Sequence, residues 1–151
     1  MVQLELSRHE TRQKFAREFG ATDIVTERGD EGIARIKELT KGIGVDSVLE
    51  CVGTQEAMQQ AIQSNRPGGF VSYVGVPHSV QLDGQPLFFS HVDLHGGPAP
   101  VRRYLPKLIN QILNGTIQPG KVFDLELPLE KVAEGYAAMD KRRAIKTLLR
   151  P

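Results

Sequence analysis

The chain has 151 residues, of which 25% are charged, and its formal net charge is +1. A balance this close to neutral gives no electrostatic reason to expect a nucleic-acid or membrane partner. One cysteine excludes an internal disulfide and a multi-cysteine zinc site in these residues, and no apolar run reaches the roughly 20 residues that span a bilayer. Without a signal-peptide pattern at the start, we expect a globular protein of the cytoplasm.

The first part of the chain alternates short strands with amphipathic helices. Ser7 and Glu10 have the spacing of a capping box, which predicts that a helix begins there. Gly20 marks the end of that helix. The predicted elements are a strand over Val2–Leu6, a helix over His9–Phe19, a strand over Asp23–Thr26 and a helix over Asp30–Thr40.

Two valine-rich runs organise the centre of the chain. Ser47–Val52 and Phe70–Val76 each contain a Val-Gly step at the end, and Thr54 stands at the N-cap of a helix between them. Short strands that alternate with helices predict a parallel sheet covered on both faces. Ligands of such sheets bind at the carboxyl ends of the strands, where glycine allows close approach to the main chain. Gly53 and Gly75 therefore mark the predicted site.

The part after Pro77 contains one more predicted strand and the most regular helix. The strand covers His91–His95, and Gly96–Pro100 predicts a shaped loop. Pro106 lies within the helical pattern, so the helix either begins near that residue or bends there. The apolar positions of this helix are Val101, Tyr104, Leu105, Leu108, Ile109, Ile112 and Leu113.

The tail has a different pattern. Val122–Leu127 alternates like a half-exposed antiparallel strand, and Ala144–Leu149 predicts a closing strand. A helix over Glu130–Met139 lies between them, which makes the tail a βαβ segment. The side chains predicted to face inward from this helix are Val132, Ala133, Tyr136 and Met139.

Four segments in a fixed order identify a family likeness that spans nearly the whole chain. They read SRHETRQKFAREFGATDIV, GVDSVLECVG, RPGGFVSYVGVP and EGYAAMDKRRAIKTLL. Together they resemble the C-terminal half of zinc-type medium-chain alcohol dehydrogenases. The resemblance implies an α/β fold: a Rossmann-like parallel sheet with helices on both faces, truncated at its N-terminal strand, plus the C-terminal βαβ tail. It implies a partial dinucleotide-binding domain over residues 1–120 and, over 121–151, a segment that packs on a catalytic domain.

Two parts of the family pattern do not occur in this sequence. The first Rossmann strand, with its Gly-rich phosphate loop, would precede Val2, and the catalytic domain carries the family's zinc ligands. The family's first strand lies at the centre of the sheet, so its loss would leave main-chain groups unpaired. We expect an associated segment, a partner chain or a rearranged pairing to fill that gap.

The resemblance places the nicotinamide end of a dinucleotide beside the two Val-Gly steps. The residues it implies are Cys51, Val52, Gly53, Val74, Gly75 and Val76 around the nicotinamide ribose, Gly97 and Ala99 at the carboxamide, and Lys146 at the pyrophosphate. The plainer interpretations are sheet core for the valines, a small buried hydrophobe for Cys51 and a surface position for Lys146. Glu50 is expected at the rim of the site or in solvent. A bulky residue in place of Gly75 is expected to abolish cofactor binding and to leave the fold intact.

Ser7, Arg8 and Arg12 indicate which dinucleotide is bound. In dinucleotide-binding folds an acidic residue after this strand selects NAD, whereas a basic residue accommodates a 2′-phosphate. Ser7 offers a hydroxyl, Arg8 a bidentate fork, and Arg12 lies one helical turn further on. The resemblance therefore implies a preference for NADP(H) over NAD(H). The alternative is that Ser7 only caps a helix and that both arginines are solvated.

The implied function is the cofactor-binding portion of an oxidoreductase that transfers hydride between NADP(H) and an alcohol or aldehyde. Zinc would act in the missing domain, because the four histidines show no metal-ligand spacing. We expect no catalytic or metal-binding residue in this chain, and hence no turnover by the chain alone. The last Rossmann strand would pair with its copy in a homodimer. The alternatives are a cofactor-binding module of a zinc-free quinone or enoyl reductase, a dimerisation unit, and a fragment without a function of its own.

Overall fold

The computed structural model describes residues 10–151 and divides the chain into two compact units. The first unit extends to Ala99, and the second covers Pro100–Pro151. The predicted strand over Val2–Leu6, together with Ser7 and Arg8, lies outside the described residues. The boundary expected after residue 120 separates a dinucleotide-binding part from a segment that packs on a catalytic domain. It stays a prediction. Between residues 10 and 151, no helix combines the length and the apolar character needed to cross a membrane.

From α2 onward, helices and strands alternate along the first unit, as their sequence patterns predict. Thr54 is the N-cap of the central helix, where its hydroxyl accepts a hydrogen bond from the N–H of Ala57 at 3.2 Å. The strands end earlier than expected, so Val52, Val74 and Val76 lie in the loops that follow them. The elements are α1 (Glu10–Glu18), α2 (Gly29–Leu39), β1 (Val45–Glu50), α3 (Gln55–Ser64), β2 (Asn65–Tyr73), α4 (Gly84–Ser90) and β3 (Asp93–Gly96).

The three strands form one parallel sheet in the order β1-β2-β3. Val48 of β1 pairs in register with Val71 of β2, and Val71 pairs with Leu94 of β3. The parallel α/β architecture predicted from the valine-rich runs is therefore confirmed. All three strands run the same way, so their carboxyl ends meet at one edge of the sheet.

The core of this unit lies between α3 and one face of the sheet. Met58 and Ala61 of α3 pack with Val71, and these three residues are 1%, 5% and 0% exposed. On the opposite face, Leu49 is 73% and Phe70 is 52% exposed. Among residues 10–99 the helical cover thus lies on one face, whereas both faces were expected to be covered.

The segment Asp23–Thr26 is not a strand in the structure, which corrects the prediction from its sequence. Val25 is nonetheless fully buried, so the apolar character of the segment correctly indicated that it contributes to the core. A strand also needs a neighbour to complete its hydrogen-bond ladder, and no described strand pairs with this segment. The sequence pattern of the segment does not show whether such a neighbouring strand exists.

The second unit forms a β-α-β arrangement after a long helix. Its elements are α5 (Val101–Leu113), a 3-10 helix (Pro119–Val122), β4 (Leu125–Pro128), a 3-10 helix (Leu129–Lys131), α6 (Val132–Asp140) and β5 (Thr147–Arg150). β4 pairs with β5 in parallel, so the antiparallel prediction for the first tail strand is wrong. The helical crossover through α6 returns the chain in the same direction, which a hairpin does not do.

The face that α6 turns inward differs from the predicted one. Gly135 and Ala138 are the buried residues of this helix, whereas Tyr136 is 68% and Val132 is 37% exposed. A Cβ atom on Gly135 would lie 3.0 Å from the side chain of Thr147 in β5, and the Thr147 hydroxyl donates to the Gly135 carbonyl at 3.3 Å. Small residues let α6 approach the two-stranded sheet closely. This contact, and not the positions of the larger apolar side chains, decides which face of α6 is buried.

The helix α5 begins at Val101, so Pro106 lies inside it rather than at its first turn. Pro106 has no N–H to donate to the carbonyl of Arg102, one turn earlier. All seven apolar residues predicted to form a stripe are exposed, from 41% for Leu108 to 76% for Leu113. The helical period is therefore confirmed, but within the described residues this stripe is not part of a core.

Candidate functional site

Gly53 and Gly75 lie against each other beyond the carboxyl ends of β1 and β2. A Cβ atom on Gly75 would lie 2.5 Å from the main-chain nitrogen of Gly53 and 2.6 Å from that of Val52. A Cβ atom on Gly53, whose φ is +85°, would lie 2.2 Å from the carbonyl oxygen of Val76. Both glycines are required by the contact between the two loops themselves. The expectation that a bulky residue at Gly75 leaves the fold intact is therefore wrong.

The Glu50 side chain holds the loop that follows β1. It is 3% exposed, and its Oε1 atom accepts hydrogen bonds from the N–H groups of Val52 at 2.7 Å and Gly53 at 2.8 Å. Bonds from main-chain N–H groups to a carboxylate are among the stronger ones in proteins. The position predicted for Glu50, at the rim or in solvent, is therefore wrong.

The main chain of the same residue holds the loop that follows β2. The Glu50 carbonyl accepts from the N–H groups of Val74 at 2.8 Å and Gly75 at 3.2 Å. The carbonyl of Gly53 also accepts from the N–H of His78 at 3.1 Å. One residue thus joins both loops, a role that was not predicted from its sequence position. The signal that could have identified it is an acidic residue at the end of a valine-rich strand, three positions before a glycine.

Three valine side chains project from these two loops and remain uncovered. Val52, Val74 and Val76 are 60%, 61% and 69% exposed, and we call them the valine ledge. Cys51 beside them is also exposed, so its interpretation as a buried hydrophobe is wrong. An apolar ledge on an otherwise ordered junction presents a surface that a flat, weakly polar group can cover.

A polar cavity lies next to the start of α3. It has a volume of about 480 Å³ and is lined by Gln55, Gln59, Ser79, Gln81, Leu82 and Asp83. Gln55 donates to the carbonyl of Gln81 at 2.9 Å and accepts from its N–H at 2.7 Å. This reciprocal pair ties the loop after β2 to the first turn of α3, which adds a further constraint on the loop that carries Val74 and Val76.

The remaining predicted site residues fall into separate places. Gly97 and Ala99 are exposed and follow β3, so they belong to the same edge of the sheet as the two loops. Arg12 is exposed on α1. Lys146 belongs to the second unit, where its N–H donates to a carboxylate oxygen of Asp124 at 3.2 Å. Ser7 and Arg8 are outside the described residues.

Among residues 10–99, the two ion pairs involve no residue of the loop junction. Arg66 contacts Asp46 at 2.6 Å at the opposite end of the sheet, and Arg35 pairs with Glu38 on α2. In the second unit, Arg150 forms two hydrogen bonds with Glu126, at 2.7 and 3.2 Å, which lower the pKa of the Glu126 carboxyl. Within residues 50–53 and 74–76, the junction carries one acidic side chain, Glu50, together with main-chain groups, the three valines and the exposed Cys51.

The three histidines within residues 10–151 do not assemble into a metal site. His78 lies in the loop after β2, His91 caps α4 in the left-handed conformation with φ of 51°, and His95 is on β3. Across residues 10–151, no three or more His, Cys, Asp or Glu side chains are grouped so that they could hold a metal ion. The described residues therefore do not fit a zinc centre.

The profile of one protein family matches most of the chain. Residues 5–113 match the family described as zinc-binding dehydrogenase. A probable zinc-binding alcohol dehydrogenase of Mycobacterium tuberculosis is 35% identical over 145 residues, which cover 93% of this chain and 36% of that protein. An NADP-dependent isopropanol dehydrogenase of Entamoeba histolytica is 30% identical over 137 residues, covering 86% of this chain and 37% of that protein.

Solved structures show the same fold. An alcohol dehydrogenase from a Thermus species superposes with a TM-score of 0.88 at 29% identity, over 98% of this chain and 44% of that chain. The Rossmann-like α/β class is thereby confirmed. The present chain spans less than half the length of these relatives.

Proposed function

The chain belongs to the zinc-binding dehydrogenase family, and we propose that it provides the dinucleotide-binding surface of an oxidoreductase acting on an alcohol or aldehyde. When bound, the cofactor supplies the hydride chemistry at its nicotinamide ring. The residues of this chain would bind and orient that ring. The relatives described above are named alcohol and isopropanol dehydrogenases, which supports this reaction class.

The observation that carries the proposal is the valine ledge on the joined loops. Three exposed valines border two glycines whose main chains are in contact, at the edge of a parallel sheet where such folds bind ligands. A nicotinamide ring laid on this ledge would cover apolar surface and lose water from one of its faces. Cys51, Gly97 and Ala99 would border the same group.

A preference for NADP(H) is the finer part of the proposal. Arg12 is exposed on the first helix, where its guanidinium could reach a 2′-phosphate together with Ser7 and Arg8. The isopropanol dehydrogenase relative is named as NADP-dependent, which favours the same cofactor. The alternative is that these arginines are only solvated.

Zinc would be bound outside this chain in the complete enzyme, because the described residues offer no ligand group for it. We also propose that residues 1–120 act as the partial dinucleotide-binding domain, with Lys146 near the pyrophosphate, while 121–151 pack on a catalytic domain. The chain alone would then bind a cofactor without turnover. A zinc-free quinone or enoyl reductase relative would use the same surface without the metal.

Both outer strands of the described sheet support proposed contacts with other segments. β3 is an edge strand, so its free side could pair with a second copy of the chain in a homo-oligomer. β1 is the other edge among the described residues, and its free side is where an additional strand would complete the family sheet. These contacts would satisfy main-chain groups that the described strands leave unpaired.

Fluorescence titration of the chain with NADPH and with NADH tests the cofactor proposal. We expect NADPH to bind about tenfold more tightly than NADH, because a 2′-phosphate gains charge-assisted hydrogen bonds to arginine. Arg12→Ala should remove most of that difference, whereas Lys14→Ala, which removes an exposed basic residue from the same helix, should leave it unchanged. Absence of binding by both nucleotides would refute the dinucleotide proposal, and equal affinities would refute only the NADP(H) preference.

A further inference from the structure

Glu50 accepts four main-chain hydrogen bonds, two with its side chain and two with its carbonyl. The donors are the N–H groups of Val52, Gly53, Val74 and Gly75, at distances from 2.7 to 3.2 Å. These donors come from both loops at the carboxyl edge of the sheet. Glu50 is therefore the one residue of the junction that is bonded directly to both halves of the valine ledge.

The side chain of Glu50 does more than fill space. A carboxylate is costly to bury, and this one uses a single oxygen, Oε1, for both of its hydrogen bonds. Its other oxygen, Oε2, is buried and has no hydrogen-bond partner among the described residues. A residue that was needed only for packing would not have to carry an acceptor, whereas one acceptor shared by two N–H groups fixes the path of residues 51–53.

We propose that Glu50 is a positioning residue for the nicotinamide end of the dinucleotide. The proposal rests on the proposed function, since it assumes that the cofactor lies on the valine ledge. Glu50 does not touch the cofactor. Its Oε1 atom holds Val52 and Gly53 in the path that places the Val52 main chain against Gly75, between Val74 and Val76, so the ledge exists before the ring arrives. Preformed surfaces bind more tightly because less order is lost on binding.

The position of Glu50 predicts which part of the cofactor depends on it. The four hydrogen bonds that it accepts all come from the loops after β1 and β2. Arg12, the described residue proposed to act at the 2′-phosphate, lies on α1 and has no bond to this junction among those that the structure describes. Loss of the Glu50 carboxylate should therefore weaken the nicotinamide contacts and spare the adenosine phosphate contacts.

Calorimetric titration of the 151-residue chain with three probes separates these contacts. The probes are NADPH, reduced nicotinamide mononucleotide and 2′,5′-ADP. For Glu50→Ala we expect at least about a tenfold loss of affinity for the first two probes and less than about a twofold change for 2′,5′-ADP. Glu50→Gln keeps an oxygen acceptor at the Oε1 position, so it should restore NADPH affinity to within about threefold of the unsubstituted chain.

The control is Asp46→Ala, which removes an exposed carboxylate from the same strand at its far end. It should leave all three affinities unchanged. Unchanged NADPH affinity in Glu50→Ala, or an equal loss for NADPH and 2′,5′-ADP, would overturn the positioning role. If Glu50→Ala does not fold, the test rests on Glu50→Gln. A Glu50→Gln chain that folds but binds NADPH about tenfold more weakly than the unsubstituted chain would also overturn the positioning role. Failure of the unsubstituted chain to bind any of the three probes is a different result, because it would refute the proposed function itself.

Discussion

Two helices, α3 and α5, have clear apolar periods but differ in how far their apolar side chains are buried. α3 buries Met58 and Ala61 against the sheet, at 1% and 5% exposure. α5 has the longer apolar stripe, yet every residue of that stripe is at least 41% exposed. The difference teaches that a period of 3.6 residues predicts a helix, whereas burial requires a partner surface. For α3 that surface is the strand pair on either side of it in sequence.

The largest expected effect tests this difference directly. Met58→Ala should lower the free energy of unfolding by about 3 kcal/mol, because it removes a fully buried side chain from the α3 core. Leu108→Ala should cost less than about 1 kcal/mol, because its side chain is already 41% exposed. Urea denaturation followed by circular dichroism measures both. Equal losses would mean that the stripe on α5 is covered in solution.

A smaller effect distinguishes the tightly packed loop junction from an open position of the same unit, the first residue of α4. Gly75→Ala should destabilise the first unit by about 2 kcal/mol, since its Cβ would meet the main chain of Gly53 and Val52. Gly84→Ala is the matched control, because a Cβ there has nothing within 4 Å, and its effect should stay within about 0.5 kcal/mol. Thermal unfolding of the two variants compares them. A neutral Gly75→Ala would show that the two loops separate easily.

The smallest effect concerns charge in the second unit. Hydrogen bonding to Arg150 lowers the pKa of the Glu126 carboxyl in the folded state. A lowered pKa contributes stability above the pKa of the unfolded chain, and that contribution is lost as pH falls through the folded-state value. In Arg150→Gln, an NMR titration should show the pKa of Glu126 rising towards its ordinary value. Because the pair is exposed, the accompanying change in stability should be smaller than for Gly75→Ala. An unchanged Glu126 pKa would contradict the hydrogen bond between these side chains.

Local signals in the sequence predicted the elements of the first unit well. Thr54 predicted the start of α3, and the valine-rich runs predicted β1, β2 and their parallel pairing. They also indicated that Gly53 and Gly75 lie at one edge of the sheet. The role of Glu50 in joining the two loops was missed because its carbonyl accepts from Val74 and Gly75, which are distant in sequence. The direction of β4 depends on its pairing with β5, and the inward face of α6 depends on how Gly135 meets Thr147.

The sequence by itself determined most of the helices and strands, the family and the edge of the sheet where a ligand is expected, because capping, periodicity and motifs act over a few residues. Only the tertiary structure decided that the two glycines touch, that Glu50 joins their loops and that the α5 stripe stays exposed. These outcomes depend on contacts between segments far apart in the chain. A sequence pattern states what a residue can contact, but the fold decides which contacts are made.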